Sequence, residues 1–328
     1  MTHTARARAH ANIALAKYWG KADIARNLPA TPSLSLTLDG LTTLTEVRFD
    51  ESYETDSFVL DGVAQEGRPL ERVSALVDRL RARAGSRLRA RVISENDFPT
   101  AAGLASSASG FAALALAAAR ALELELSLEE LSAVARASSA SAARSLFGGY
   151  CALPAGAERA ERVARGEDFP LAMLVTLTAK GPKAIGSTEG MKHTQATSPY
   201  YASWVDDAPR VYQEIRRAVL ERDLERLGDA MEQSALMMHA SMLAARPAVV
   251  YFQPTTLAVM SEVRALRSRG IPAYYTMDAG PHVKVLTRPE HASAVAEALG
   301  RVPGVEGTRL SGPGPDATLT DSEFRGRA

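Results

Sequence analysis

The chain has 328 residues, 46% hydrophobic and 23% charged, which is material for more than one core and predicts two domains. Lys plus Arg and Asp plus Glu both number 38, so bulk charge argues for neither nucleic acid nor membrane as a partner. Cys151 is the only cysteine, which excludes an intrachain disulfide and a cysteine-built metal site.

Residues 1–10 are polar and Arg-containing and do not read as a signal peptide. No run of about 18 apolar residues predicts a membrane span, so the expectation is a soluble, cytoplasmic protein. Residues 12–16 read as a buried strand running into Lys17. Residues 34–38 alternate apolar and polar, as a half-buried strand does, and 43–49 and 57–60 repeat the pattern. Asp39-Gly40 and Asp61-Gly62 mark turns after them. Residues 69–84 carry Val73, Leu76, Val77 and Leu80 on one helical stripe, and 88–95 form a further strand. The Ala/Leu-rich stretch 104–122 is apolar nearly all round and predicts a helix in the middle of a domain. A Ser127/Glu130 capping box opens a helix over 127–137.

The second half opens with a strand at 171–178 and a polar, turn-rich segment at 179–202. Helical patterns follow at 206–221, 224–244 and 255–269. Strands at 273–277 and 283–286, a helix at 289–299 and a strand at 307–310 complete the chain. Strands and helices mixed in both halves predict an α+β fold. The boundary falls at 182/183, giving domains 1–182 and 183–328, with the last strands able to return to the first.

Four stretches can carry chemistry. From Asn96 through Pro99, Ala102, Gly103, Leu104, Ala105, Ser106 and Ser107 a strand ends, a loop of small residues turns, and a helix begins. Backbone N–H groups and the helix dipole favour an anion there, and the two hydroxyls can bind phosphate or a phosphate-bound Mg²⁺. No Walker A or Rossmann glycine pattern is present, and tight packing of a helix start accounts for small residues equally simply. The second stretch is Lys17-Tyr18-Trp19-Gly20-Lys21, where a lysine leaving an apolar run needs an anion or an exit to water. In the third, Ser141, Arg144 and Gly148-Gly149 suit an anionic ligand or a capped helix end. In the fourth, Asp278 leaves a strand into Ala279-Gly280-Pro281, a station for a general base or a self-bonded turn. The six histidines show no zinc spacing, and Met231, Met237, Met238 and Met242 read as core.

In order, Asn12-Ile13-Ala14, Lys17 to Lys21, Asn27-Leu28-Pro29, Ser33-x-Ser35-x-Thr37, Phe98 to Ala108, Ser141-Ala142-x-Arg144-Ser145, Ser187-Thr188-x-Gly190-Met191 and Asp278 to Pro281 resemble the diphosphomevalonate decarboxylases of the GHMP kinase superfamily. The resemblance spans residues 12–281. It implies an N-terminal ribosomal-protein-S5-like domain, a C-terminal α/β sandwich domain, ATP with Mg²⁺, mevalonate 5-diphosphate as substrate, and a homodimer. It further implies Asp278 as base toward the substrate 3-hydroxyl, and Lys17 as the lysine that keeps it ionised. Ser141 and Arg144 then contact the substrate carboxylate and phosphates. Tyr18, Lys21 and Ser187 line the diphosphate pocket, and Ser107 lies near Mg²⁺. Thr31, Ala143, Gly186 and His282 depart from the usual pattern. They leave open a decarboxylase of mevalonate 5-phosphate. A kinase that stops at phosphorylation or a non-catalytic binding protein would lack the Asp/Lys pair.

Overall fold

A computed structural model describes residues 3–98, 106–178 and 185–324. The first half runs β1 (His3–Ala16), β2 (Lys21–Asp23), β3 (Leu28–Pro29), β4 (Ser33–Asp50), β5 (Ser57–Leu60), β6 (Val63–Gln65), α1 (Arg68–Ala84), β7 (Arg89–Asn96), α2 (Ser106–Ala121), α3 (Leu128–Ser138), β8 (Tyr150–Leu153) and β9 (Glu161–Ala164). The second runs β10 (Ala172–Leu177), α4 (Ser187–Thr197), α5 (Tyr201–Glu221), α6 (Leu224–Leu243), α7 (Pro254–Ser268), β11 (Ala273–Met277), β12 (Val283–Thr287), α8 (Ala292–Gly300), β13 (Gly307–Ser311) and β14 (Thr318–Leu319). The α+β expectation holds.

Two large sheets organise these elements, beside the small β2-β3 pair. The larger follows the order β14-β1-β4-β7-β5-β6, with β8 and β9 branching from β4, and the smaller follows β11-β12-β10-β13. Strand β10 therefore pairs in the second sheet, whereas β14, at the chain end, pairs with β1 of the first. The expected boundary at 182/183 falls outside the described residues.

The α2 helix behaves as its composition demands. Ala108, Ala112, Ala113, Ala115 and Ala117 to Ala119 are buried in one core with Val47, Phe49, Leu76, Leu80 and Val92. Small side chains let a helix approach β1 and β4 closely while still removing apolar surface from water. The Ser127/Glu130 capping box forms as expected. A second core joins Ile13, Leu15, Leu34 and Leu36 of the large sheet to Val211, Ile215 and Met231 of α5 and α6. That shared core fixes the end of β1 against the second half of the chain, and the site depends on it.

Two local expectations are corrected, and two strands were missed. The Asp39-Gly40 turn does not break the strand: both residues are exposed, and β4 continues from Ser33 to Asp50 with a register irregularity opposite β1. Strands β8 and β9 were not legible, since Tyr150–Leu153 is buried throughout and so shows no alternation. The polar segment 179–202 contains a helix, α4, where a run of turns was expected. Its apolar stripe is thin because it buries only Gly190, Met191 and Thr194. Gly190 packs against the Trp19 ring, where a Cβ would lie 3.1 Å from it.

Candidate active site

Residues from both halves of the chain surround a cavity of about 540 Å³. Strand β1 ends at Ala16, and the next residue turns inward. The Lys17 N–H donates to Ser234 Oγ of α6 at 2.9 Å. Its ammonium donates to Ala14 O at 2.8 Å and to Asp278 Oδ1 at 2.5 Å. The side chain is 1% exposed, so the snorkelling alternative is excluded. Gly20 allows this turn: it has φ 105°, and a Cβ there would collide with the Tyr201 ring.

Asp278 opens the hairpin between β11 and β12. Its carbonyl accepts from Gly280 N–H at 2.8 Å, and Pro281 O accepts from the Thr256 and Thr178 hydroxyls, which pins the turn. The carboxylate lines the cavity with 29% of its side chain exposed. Lys284, on β12, places Nζ 3.2 Å from Oδ2, close enough for an ion pair although short of a well-formed hydrogen bond. Burial alone would raise the Asp278 pKa, but Lys17 and then Lys284 outweigh it and hold the carboxyl well below the usual range. Burial pushes the Lys17 ammonium down to about 8, against the opposing pull of Asp278. His239, buried behind the pair, is pushed by burial to about 4 and is neutral at physiological pH.

Arg144 sits in a 3-10 turn after α3, 2% exposed and lining the cavity. It donates to Ser33 Oγ at 2.6 Å, Ser35 Oγ at 2.8 Å and Asn12 Oδ1 at 3.3 Å. All three partners are neutral, and among the described residues no carboxylate pairs with it. Burial pulls its pKa down. A buried guanidinium with only neutral partners is costly unless an anion arrives. Tyr18, Ser139 and Ser141 line the wall beside it, and the two serine hydroxyls lie 3.1 Å apart.

Two helix N-termini open onto the same space. Ser106 and Ser107 begin α2, and Gly186, Ser187, Thr188 and Glu189 begin α4. Ser106 and Ser107 also border a smaller slot of about 160 Å³ between α1, α2 and the large sheet, walled by Phe58, Leu60, Val92 and Phe111. Asn96 lines that slot, but its side chain is committed to Thr43 Oγ1 at 2.6 Å and Asp61 Oδ2 at 3.3 Å. Pro99, Ala102, Gly103, Leu104 and Ala105 lie outside the described residues. Lys21 does not line the cavity. It stands in β2, where burial and then the repulsion of Lys192, Arg72 and Arg68 lower its pKa.

Sequence reasoning missed Lys284, Arg68, Arg72 and Glu189. Lys284 carries the signal that exposed Lys17, a lysine within the apolar run Val283 to Leu286. Arg68 and Arg72 occupy the first turns of α1, where cations oppose the helix dipole unless an anion is near. Ser107, at the start of α2 on the cavity wall, is the residue that would stand beside a magnesium ion carried by phosphates and water. No described helix is long and apolar enough to cross a membrane.

Comparisons with known proteins agree on one family. The family described as "Diphosphomevalonate decarboxylase-like N-terminal domain" matches residues 9–164, and "Mevalonate 5-diphosphate decarboxylase C-terminal domain" matches residues 173–309. A diphosphomevalonate decarboxylase of Candida albicans is 35% identical over 92% of this chain and 90% of its own. A phosphomevalonate decarboxylase of Haloferax volcanii is 34% identical over 97% and 98%. A solved structure described as MDDEF in complex with MVAPP, AMPPCP and magnesium superposes with a TM-score of 0.91 and 40% identity, covering 98% of this chain and 100% of that one. The overall architecture is thus the GHMP kinase fold.

Proposed function

As the chain belongs to the diphosphomevalonate decarboxylase family, we propose that it converts mevalonate 5-diphosphate, with ATP, to isopentenyl diphosphate, ADP, phosphate and CO₂. The observation that carries this reading is the buried Lys17–Asp278 pair at 2.5 Å, facing a cavity that also holds Arg144, which pairs with no carboxylate among the described residues.

A tertiary hydroxyl leaves poorly, whereas its phosphate ester leaves readily. Asp278 accepts the hydroxyl proton as the oxygen attacks phosphorus, and the neighbouring ammonium groups keep that carboxylate ionised beforehand. ATP with magnesium, when bound, supplies the phosphoryl group. The C–O bond to the new phosphate then breaks, and the electrons of the bond to the substrate carboxylate form the double bond as CO₂ departs. Lys17 offsets charge that moves during these steps. Arg144 and Ser141 orient the substrate carboxylate. Tyr18, Ser187 and, from the rim, Lys21 attract the diphosphate. Ser106, Ser107 and the N-terminus of α2 take the nucleotide phosphates, and the apolar slot beside them, with Asn96 as part of its wall, receives the base. The chain works as a homodimer in the cytoplasm, as the family resemblance implies.

A second reading, decarboxylation of mevalonate 5-phosphate, is favoured by the Haloferax volcanii relative, which is matched over 98% of its length. A single-turnover assay with Mg-ATP separates the two. ADP and CO₂ are followed separately with mevalonate, its 5-phosphate and its 5-diphosphate. Equal ADP and CO₂ from the diphosphate alone is the expected outcome. Equal release from the monophosphate moves the substrate, and ADP without CO₂ overturns decarboxylation.

A further inference from the structure

Asp278 is approached by ammonium groups from two directions. Lys17 comes from the end of β1 in the large sheet and meets Oδ1; it lines the cavity. Lys284 comes from β12, the far side of the hairpin that carries Asp278 itself, and meets Oδ2 at 3.2 Å. Register places Lys284 opposite Thr276, next to the pair Met277–Val283 that closes the hairpin. Its side chain is 1% exposed and forms no part of the cavity wall. One carboxylate oxygen thus faces the cavity lysine, and the other is held from behind.

A lone ion pair leaves a carboxylate free to rotate about its Cβ–Cγ bond and to exchange its two oxygens. A second cation on the other oxygen removes that freedom, because rotation would break both contacts. It also leaves the trio with a net positive charge, which favours the ionised carboxylate and the charge that develops on the transferring group. The remaining groups facing the trio do not duplicate this. Arg144 acts on Asp278 only at longer range, His239 is neutral, and His282 is a buried neutral imidazole next to Lys284.

We propose that Lys284 is a positioning residue of the reaction, holding the Asp278 carboxylate ionised and turned so that its outer oxygen meets the substrate hydroxyl. The inference rests on the decarboxylase reading and extends it to a residue that does not touch substrate.

The sign is fixed by the geometry. Removing the rear ammonium raises the Asp278 pKa, so the base is protonated at a higher pH. An opposite charge this close is worth about 1–3 pH units. In Lys284→Met, the acid limb of kcat/KM for mevalonate 5-diphosphate with Mg-ATP should therefore move up by about 1–3 units. Lys284→Arg should restore most of it. Lys284→Gln, which keeps a polar head, repeats the measurement should the methionine variant not fold. In parallel, the carboxyl ¹³C titration of Asp278, assigned through Asp278→Asn, should move up in the ligand-free protein by the same amount. A variant profile that superimposes on the parent after scaling by one factor, with an unmoved carboxyl titration, overturns the proposal and leaves Lys284 a structural residue. Absence of turnover by the unmodified enzyme sinks the decarboxylase reading instead, and the role in the reaction falls with it, whatever the titration shows.

Discussion

The two ends of the cavity handle charge in opposite ways. At one end Lys17 and Lys284 both form ion pairs with the Asp278 carboxylate. At the other, Arg144 is buried against hydroxyls and an amide, Arg68 and Arg72 line the wall, and Lys21 and Lys192 stand near them outside it, with no described carboxylate among the salt-bridge partners of these five. The paired end is preorganised and belongs to the chemistry, where reorganisation during the reaction would be costly. Cations without a described carboxylate partner attract an anionic ligand, so those at the other end belong to binding. Loss of a group should therefore read out mainly in kcat at the first end and mainly in KM at the second.

Asp278→Asn should show the largest effect, a fall in kcat of about 10³ with substrate affinity within a few fold, by single-turnover kinetics and calorimetry. Unchanged kcat would remove the base and with it the distinction between the two ends. Next comes a matched pair. Lys17→Met breaks a buried ion pair and should cost about 3–5 kcal/mol in denaturant unfolding, besides about 10² or more in kcat. Arg144→Met removes an equally buried cation that has no carboxylate partner, so it should cost far less stability while raising KM about 100-fold. Similar stability losses for both would show that Arg144 is as well paired as Lys17.

pH gives a third test. Lys17 is depressed in the folded protein to about 8, below its unfolded value. Its contribution to stability is therefore fully present above the unfolded lysine pKa and is lost as pH falls through about 8. Activity, which needs the ammonium, should instead fall as pH rises through about 8, close to tenfold per unit. Stability and activity declining together above that pH would contradict the assignment. The smallest effect expected is for Arg72→Gln, a rise in KM of about tenfold with kcat held. Its salt dependence should be weaker than the parent's, since a half-exposed cation acts through a screened field.

The chemistry at the paired end was partly legible. Lys17 stands out because a lysine at the close of an apolar run demands an anion, and Asp278 because it leaves a strand into a Gly-Pro turn. That they meet followed only from the family resemblance, since 261 residues separate them and no local pattern joins them. Helix α4 was missed because its buried stripe is only three residues deep, and Tyr18 and Ser141 had no periodic signal to place them.

By itself, the sequence determined what local physics and composition can decide: the Ala-rich buried helix, the capped α3, the amphipathic α1, the α+β class and, through ordered motifs, the family. Tertiary structure alone decided the site. The core shared by β1, α5 and α6 fixes the end of β1 against the β11–β12 hairpin, and only that packing sets Lys17 on one oxygen of Asp278 and Lys284 on the other. Charge–charge contact depends on distance in space, which burial of apolar surface sets between elements far apart in the chain.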